Sequence, residues 1–354
     1  LNEQVLLIRK SLYGKKHPDY ATSLNNLALN HSQLEDHKKA KELNEQVLLI
    51  YEEIYGKNHP SYALGKSNLA MNYSYLGDYN LSDRAFVEAY QIEYGLFKKN
   101  SFGLTNKQKE NYKLSLSNSL ENLQNYALIR NSSSSEILDT TFVNSMNLNG
   151  VLTDQTNRLT KEIYKSNNDS LIVLFEKWKA HRMQLAKYYE LTKQELQKRE
   201  VDINAFEEAT DQLEATLSRK SNSFAQSQKE YQLNDFTTNL ETNEAYVDIV
   251  RLPYYSFENN HWLDSVQYIA YIVTPKEALS FVVLPNGNAL EYNALTYYTS
   301  NTSGKNKESI DTRSYNNYWK PIAKRLDSLG VNTIYVSAGG IYSTSRKPAA
   351  HPDS

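Results

Sequence analysis

The sequence predicts an α-helical solenoid, then a helical bridging region, then an incomplete α/β domain. Three observations carry this. A segment of 42 residues is spelled twice at the start of the chain. The hydrophobic period stays helical to about residue 235. After about Leu240 it switches to the alternation of strands. The expected organisation is solenoid over 1–100, bridging helices over 101–235, the α/β segment over 240–342 and a polar tail over 343–354.

The repeat comes first because it decides the architecture. "LNEQVLLI" stands at Leu1–Ile8 and again at Leu43–Ile50, and "YGKKHPDYA" at Tyr13–Ala21 returns as "YGKNHPSYA" at Tyr55–Ala63. Residues 1–42 aligned on 43–84 share 22 identities. Within each copy Leu24, Leu27, Ala28, His31 and Leu34, then Leu69, Ala70, Tyr73 and Leu76, fall on one face of a first helix. A turn follows at Leu34-Glu35-Asp36 and at Leu76-Gly77-Asp78. The second helix turns Ala40, Leu43, Val47 and Ile50 inward, echoed by Phe86, Ala89 and Ile92. It ends near Gly14 or Gly56, and His17-Pro18 or His59-Pro60 restarts the chain. A single antiparallel pair cannot bury both faces, so copies stack into a solenoid with a concave groove. The two His-Pro histidines read as turn residues rather than metal ligands.

Composition narrows the function classes. The chain has 354 residues, 40% hydrophobic and 23% charged, with a net charge of −2 and interspersed signs. Nothing marks a nucleic-acid or membrane partner. The longest apolar runs fall far short of the ~20 residues that span a bilayer. There is no cysteine, so disulfides, thiolate metal sites and a cysteine nucleophile are absent. No phosphate loop, zinc spacing or nucleophile elbow occurs, and no cofactor or metal is expected. Leu1 sits inside an amphipathic pattern with no cap before it, which reads as a cut N-terminus. The expected compartment is the cytoplasm.

In the middle, Thr105 reads as the N-cap of a helix over "NKQKENYKLSLSNSLENLQNYALIR". "NSSSS" at Asn131–Ser135 breaks it and caps a helix running to about Lys165. Another begins near Ser170, with Leu171, Leu174, Phe175, Trp178, Leu185, Tyr189 and Leu196 as its stripe. A shorter helix holds Phe206, Leu213 and Leu217. Trp178, Tyr188 and Tyr189 read as packing residues, so this region is architecture rather than chemistry.

In the last part, "AYVDIVRLPYY" places Ala245, Val247 and Ile249 on one strand face. "SVQYIAYIV" (Ser265–Val273) and "LSFVVLP" (Leu279–Pro285) follow as strands. A polar loop at Thr299–Thr312, a helix at about Tyr315–Leu329 and the strand Thr333–Ser337 complete the pattern. Such an apolar last strand wants cover, which the tail "STSRKPAAHPDS" does not offer. The unfinished sheet therefore presents a surface for self-association. Gly339-Gly340 reads as a strand-terminating turn in preference to an anion nest.

The "NLA…Y…LGDY…A" pattern and the His-Pro linker resemble tetratricopeptide repeats in the longer form seen in kinesin light chains. The resemblance covers residues 1–94, with Glu35 in place of the usual turn glycine. It implies a protein or peptide held in the concave groove of the first helices. Asn25, Asn26, Gln33, Ser67, Asn68 and Tyr75 are the residues expected to face it.

"YVDIVR", "DSVQYIAYIVTP", "LPNGNALE", "YWKPIAKRL" and "TIYVSAGGIY" resemble the first half of a CHAT domain. These domains belong to the caspase and separase group of cysteine peptidases and follow tetratricopeptide arrays in bacteria. The family's catalytic histidine and cysteine would lie further on. His351 in "AAHPDS" lacks the family's surroundings, so no catalytic residue is assigned. The expected function is an interaction scaffold joined to a catalytically incomplete CHAT segment. The alternative is a fragment of an intact cysteine endopeptidase whose repeats bind a regulator or substrate.

Overall fold

The computed structural model describes residues 2–100, 106–130, 135–152, 155–227, 230–256, 261–277, 279–284, 286–294, 312–340 and 342. The chain forms two compact units, Leu1–Leu123 with Ser145–Glu230, and Gln124–Asn144 with Tyr231–Ser354.

The first unit opens with five helices: α1 (Asn2–Tyr13), α2 (Pro18–Gln33), α3 (His37–Ile54), α4 (Pro60–Tyr75) and α5 (Tyr79–Asn100). Both α2 and α4 begin at a proline and end at equivalent repeat positions, so the repeat in sequence is a repeat in structure. Proline suits the first turn, where its missing N–H would have no partner anyway. The histidines ahead of them are N-caps. His17 Nδ1 accepts from the Asp19 N–H at 3.2 Å, and His59 Nδ1 from the Ser61 N–H at 3.1 Å. Each ring also stacks on the tyrosine four residues earlier, with centroids 4.5 Å (Tyr13) and 3.9 Å (Tyr55) apart. Accepting that bond requires an unprotonated Nδ1, and burial pulls the His59 pKa down to about 4.

The core of the array is built from small residues and one stripe per helix. Ala21, Ala28, Ala63 and Ala70 are buried and let the helices close on one another. Tyr20, Leu24, Leu43, Val47, Leu48, Tyr51 and Leu69 fill the space between them. The repeated octapeptide has two fates. In α3, which packs between α2 and α4, Leu43, Asn44, Val47 and Leu48 are buried. In α1, which packs on α2, none of its residues is buried.

Leu34 is the correction in this array. Helical spacing puts it on the packing face, yet it is 78% exposed. Helix α2 ends at Gln33, and Glu35 takes a left-handed φ of 62° where the second copy has Gly77 at 78°. The Asp36 N–H donates to the His31 carbonyl at 2.9 Å and the Glu35 N–H to Ser32 at 3.0 Å, a Schellman closure. Leu34 is the C-cap residue just past the helix end, and its equivalent Leu76, in the same kind of turn, is half-buried. Glycine adopts this φ without the Cβ clash, so Glu35→Gly is expected to stabilise the chain by about 0.5–1 kcal/mol. Urea denaturation followed by helical circular dichroism reads the change. A loss of stability would refute it.

The remaining helices are α6 (Asn106–Arg130), α7 (Ser135–Leu152), α8 (Gln155–Lys165), α9 (Asp169–Tyr188), α10 (Lys193–Lys198), α11 (Ile203–Lys220), α12 (Asn222–Ser227) and α13 (Leu233–Thr237). The helix expected to run to Lys165 spans α7 and α8, and 153–154 between them lie outside the described residues. One boundary differs from expectation. Leu196 belongs to α10, because α9 ends at Tyr188 and Thr192 starts a new helix with a full capping box. Thr105 and 131–134 lie outside the described residues. Trp178 is 1% exposed in a cluster with Leu159, Ile163, Leu171, Phe175, Leu217 and Phe224, a packing role as the sequence implies. Leu96 of α5 joins Leu185, Tyr189, Ile203 and Phe206 in another cluster.

The second unit is a four-stranded sheet of β1 (Glu244–Ser256), β2 (His261–Val273), β3 (Ser280–Leu284) and β4 (Thr333–Ala338), in the order β3-β2-β1-β4. β1 runs antiparallel to β2 and parallel to β4, and β2 is antiparallel to β3. The long crossover from β3 to β4 contains the helix Lys320–Ser328. Ala245, Val247 and Ile249 point to one face, as their alternation implies, and meet Ile322 and Leu326 of that helix. The opposite face of β1 carries Tyr246 and Asp248, and the Phe142 ring of α7 packs against Tyr246 and Tyr271. Asn125 of α6 braces the same side: its amide donates to the Pro253 carbonyl at 3.0 Å and its carbonyl accepts from the Tyr255 N–H at 3.2 Å. The loop expected at 299–312 and the tail at 343–354, including His351, fall outside the described residues apart from the start of a helical turn at Thr312.

Candidate protein-binding surface

The open face of the first helices is set by what the other faces must do. Tyr20, Ala21, Leu24 and Ala28 face the core, so the helical period leaves Thr22, Asn26, Leu29 and Gln33 on the outer stripe of α2. The repeat carries the same stripe onto α4 as Leu64, Asn68, Met71 and Tyr75. Side by side, the two rows make a surface of amides and apolar side chains with no charged residue in either row.

The six residues singled out from the sequence occupy this region unevenly. Asn26 and Gln33 are exposed, while Asn25, Ser67, Asn68 and Tyr75 are half-buried. Asn25 and Asn68 are brought together: the Asn68 amide donates to the Asn25 carbonyl oxygen at 2.8 Å, tying α2 to α4. The Asn72 amide in turn donates to the Asn68 backbone carbonyl at 3.0 Å. Tyr75 is held differently, its ring stacked on His37 at 4.3 Å. Burial lowers the pKa of His37, against the opposing effect of Glu35 and Asp36.

Sequence reasoning missed the apolar members. Leu29 is 53% exposed and Leu64 51% exposed, on the same line as the amides. The signal was present, since Thr22/Leu64 and Leu29/Met71 are equivalent positions flanking Asn26/Asn68, the pair that both copies share. Polar residues draw notice on an outer face, and leucines at the same spacing do not.

Elsewhere the described residues offer little chemistry. No group of three or more His, Cys, Asp or Glu among them is placed to hold a metal ion. No helix among them is long and apolar enough to cross a membrane. At the end of β4 the Gly339 N–H is spent on the Ile249 carbonyl at 2.7 Å. Gly340 has φ 55°, and a Cβ there would lie 2.5 Å from the Tyr268 hydroxyl. The pair is a turn pressed against the sheet, as the sequence implies. Beside it Arg251 grips Glu291 through Nε at 2.6 Å and Nη2 at 3.2 Å, and the Tyr268 hydroxyl donates to the same carboxylate at 2.7 Å.

With this geometry in place, the comparisons fall on the first unit. The family model of the tetratricopeptide repeat matches residues 1–53 and 33–92. The start of the chain is therefore a tetratricopeptide-repeat array, built of the helix pairs just described. No curated protein matches the chain significantly.

Proposed function

We propose that the chain is a protein-binding scaffold whose first-helix face holds an uncharged, extended segment of a partner. Tetratricopeptide repeats commonly bind proteins or peptides, which sets the class. One observation carries the finer reading: the paired stripes Thr22–Asn26–Leu29–Gln33 and Leu64–Asn68–Met71–Tyr75 combine amides with exposed leucines and no charge. Asn26 and Gln33 supply donors and acceptors for a partner backbone, and Leu29, Leu64 and Met71 take its apolar side chains. An uncharged floor gives an acidic or basic peptide no counter-charge to offset its desolvation.

The test is peptide selection with the purified chain, followed by affinity measurement on the variants Leu29→Glu and Leu64→Glu. Loss of at least about tenfold is expected for each, since burying one unpaired carboxylate costs more than about 1.4 kcal/mol. Leu49→Glu, on an exposed position of α3, should bind as the parent does. Equal binding by all three variants would refute the assignment.

We further read the second unit as a caspase-like, CHAT-type segment. The sheet order β3-β2-β1-β4, with β4 parallel to β1 after a helical crossover, favours that reading over a plain antiparallel meander. Superposition of the four strands on caspase-like peptidases tests it, and a different strand order there would remove it. Thiolate catalysis is outside the reach of this polypeptide, which has no cysteine.

A further inference from the structure

We propose that β4 is a self-pairing edge through which two copies of the chain join their sheets antiparallel. The two edges of the sheet are treated differently. At the first residue of β3, Arg325 reaches Ser280 Oγ at 3.3 Å and pairs with Glu277 at 2.6 Å, so an ion pair stands at the start of that edge. β4 pairs with β1 alone, and among the described residues no strand meets its outer edge. Its six residues, Thr333–Ala338, carry no charge, and neither do Asn332 before them or Gly339 and Gly340 after them. Tyr335 and Val336, which point to opposite faces, are 51% and 46% exposed. Among the described residues this edge shows no charge, proline or bulge to block strand addition.

The occupant follows from the pattern of β4 itself. A two-fold axis perpendicular to the sheet keeps like faces together. Centred on Tyr335, it sets Tyr335 opposite Tyr335 of the second copy, Ile334 opposite Val336, and Thr333 opposite Ser337. Aromatic meets aromatic, β-branched meets β-branched, and hydroxyl meets hydroxyl, the pairings that stabilise antiparallel neighbours. The Tyr335 hydroxyl donates to Glu244 Oε1 at 3.0 Å, which pins the ring on its face. The two Glu244 residues, each beside Thr333, would stand three strand spacings apart across the sheet and four residues apart along it, about 20 Å, and do not oppose each other. The joined sheet would have eight strands.

The absence of cysteine makes the test sharp, because any introduced thiol is the sole one. Tyr335→Cys should oxidise to a covalent dimer at least about tenfold faster than Lys324→Cys on the exposed helix, since pairing raises the local thiol concentration. Ile334→Cys mixed with Val336→Cys should cross-link to each other and hardly to themselves. By light scattering the unmodified chain should dimerise with concentration, and Val336→Lys should stay monomeric with unchanged circular dichroism. A monomer at every concentration would overturn the proposal. So would a Tyr335→Cys variant that cross-links no faster than Lys324→Cys, or a different register in the mixed experiment.

Discussion

Glu214→Ala should destabilise the helical unit by about 3 kcal/mol, because it strands a buried arginine. The Arg182 side chain, on α9, is 7% exposed, and its guanidinium bonds to the Glu214 carboxylate of α11. The same carboxylate accepts from Trp178 Nε1 at 3.2 Å, and the guanidinium lies 5.7 Å from the Trp178 ring centroid. Glu214 thus serves two buried donors at once. Without it Trp178 loses its acceptor, and Arg182 keeps Asp211 at 3.9 Å, whose side chain is 68% exposed and too solvated to replace it. One guanidinium nitrogen, Nη1, already lacks a hydrogen-bond partner, so the group has no reserve.

The double replacement separates desolvation from packing. Arg182→Leu with Glu214→Leu removes both charges and should recover most of the loss, because the pair's own attraction is largely spent on leaving water. Urea denaturation followed by Trp178 fluorescence measures each step, with the two single variants completing a cycle. If Glu214→Ala proved neutral, Arg182 would have to be hydrated in solution, contrary to its burial.

The repeat array and this buried pair show where sequence reading reaches and where it stops. The repeat is legible because it is written in identities at a fixed offset, and helix starts at Pro18 and Pro60 follow from local chemistry alone. The Arg182 contact is not, although Trp178 and Arg182 are one helical turn apart. A charged residue in an apolar stripe reads as a boundary of the stripe, and its partner sits 32 residues on in another helix. The octapeptide makes the same point. Leu43, Val47 and Leu48 are buried in α3 while no residue of α1 is, since burial depends on neighbours that the segment does not encode. On the candidate surface the asparagines are legible by position, while the Asn25–Asn68 bond crosses between repeats at unequal repeat positions. The Ala245–Val247–Ile249 face of β1 is legible from its alternation. Its other face is silent, because the helices covering it come from residues 124–144, a hundred residues earlier.

That silent face sets the second large effect, at Asp248. The residue is 2% exposed in the middle of β1, between Tyr246 and Tyr271, with Thr141 and Gln124 among the groups around Tyr271. Burial pushes its pKa up to about 6, partly offset by a hydrogen bond with Ser337 of β4. Its Oδ2 has no hydrogen-bond partner. The folded chain therefore prefers the protonated acid more than the unfolded chain does, whose carboxyl titrates near 3.8. Stability from this group is fully present below about pH 4 and is lost as pH rises through about 6. Above that, the sheet carries a buried carboxylate at a cost of about 3 kcal/mol, since each pH unit between the folded and unfolded titration points is worth about 1.36 kcal/mol. Asp248→Asn keeps the shape and removes the charge. At about pH 7.5 it should stabilise the sheet unit by about 1–3 kcal/mol, the lower figure applying if the new amide finds no acceptor. Between about pH 4 and 6 it should flatten the fall in stability that the parent chain shows. Thermal denaturation across that range, followed by near-ultraviolet circular dichroism of the tyrosines on this face, checks both parts. A parent chain whose sheet gains stability over that interval would contradict the account, and so would a variant less stable than the parent above it.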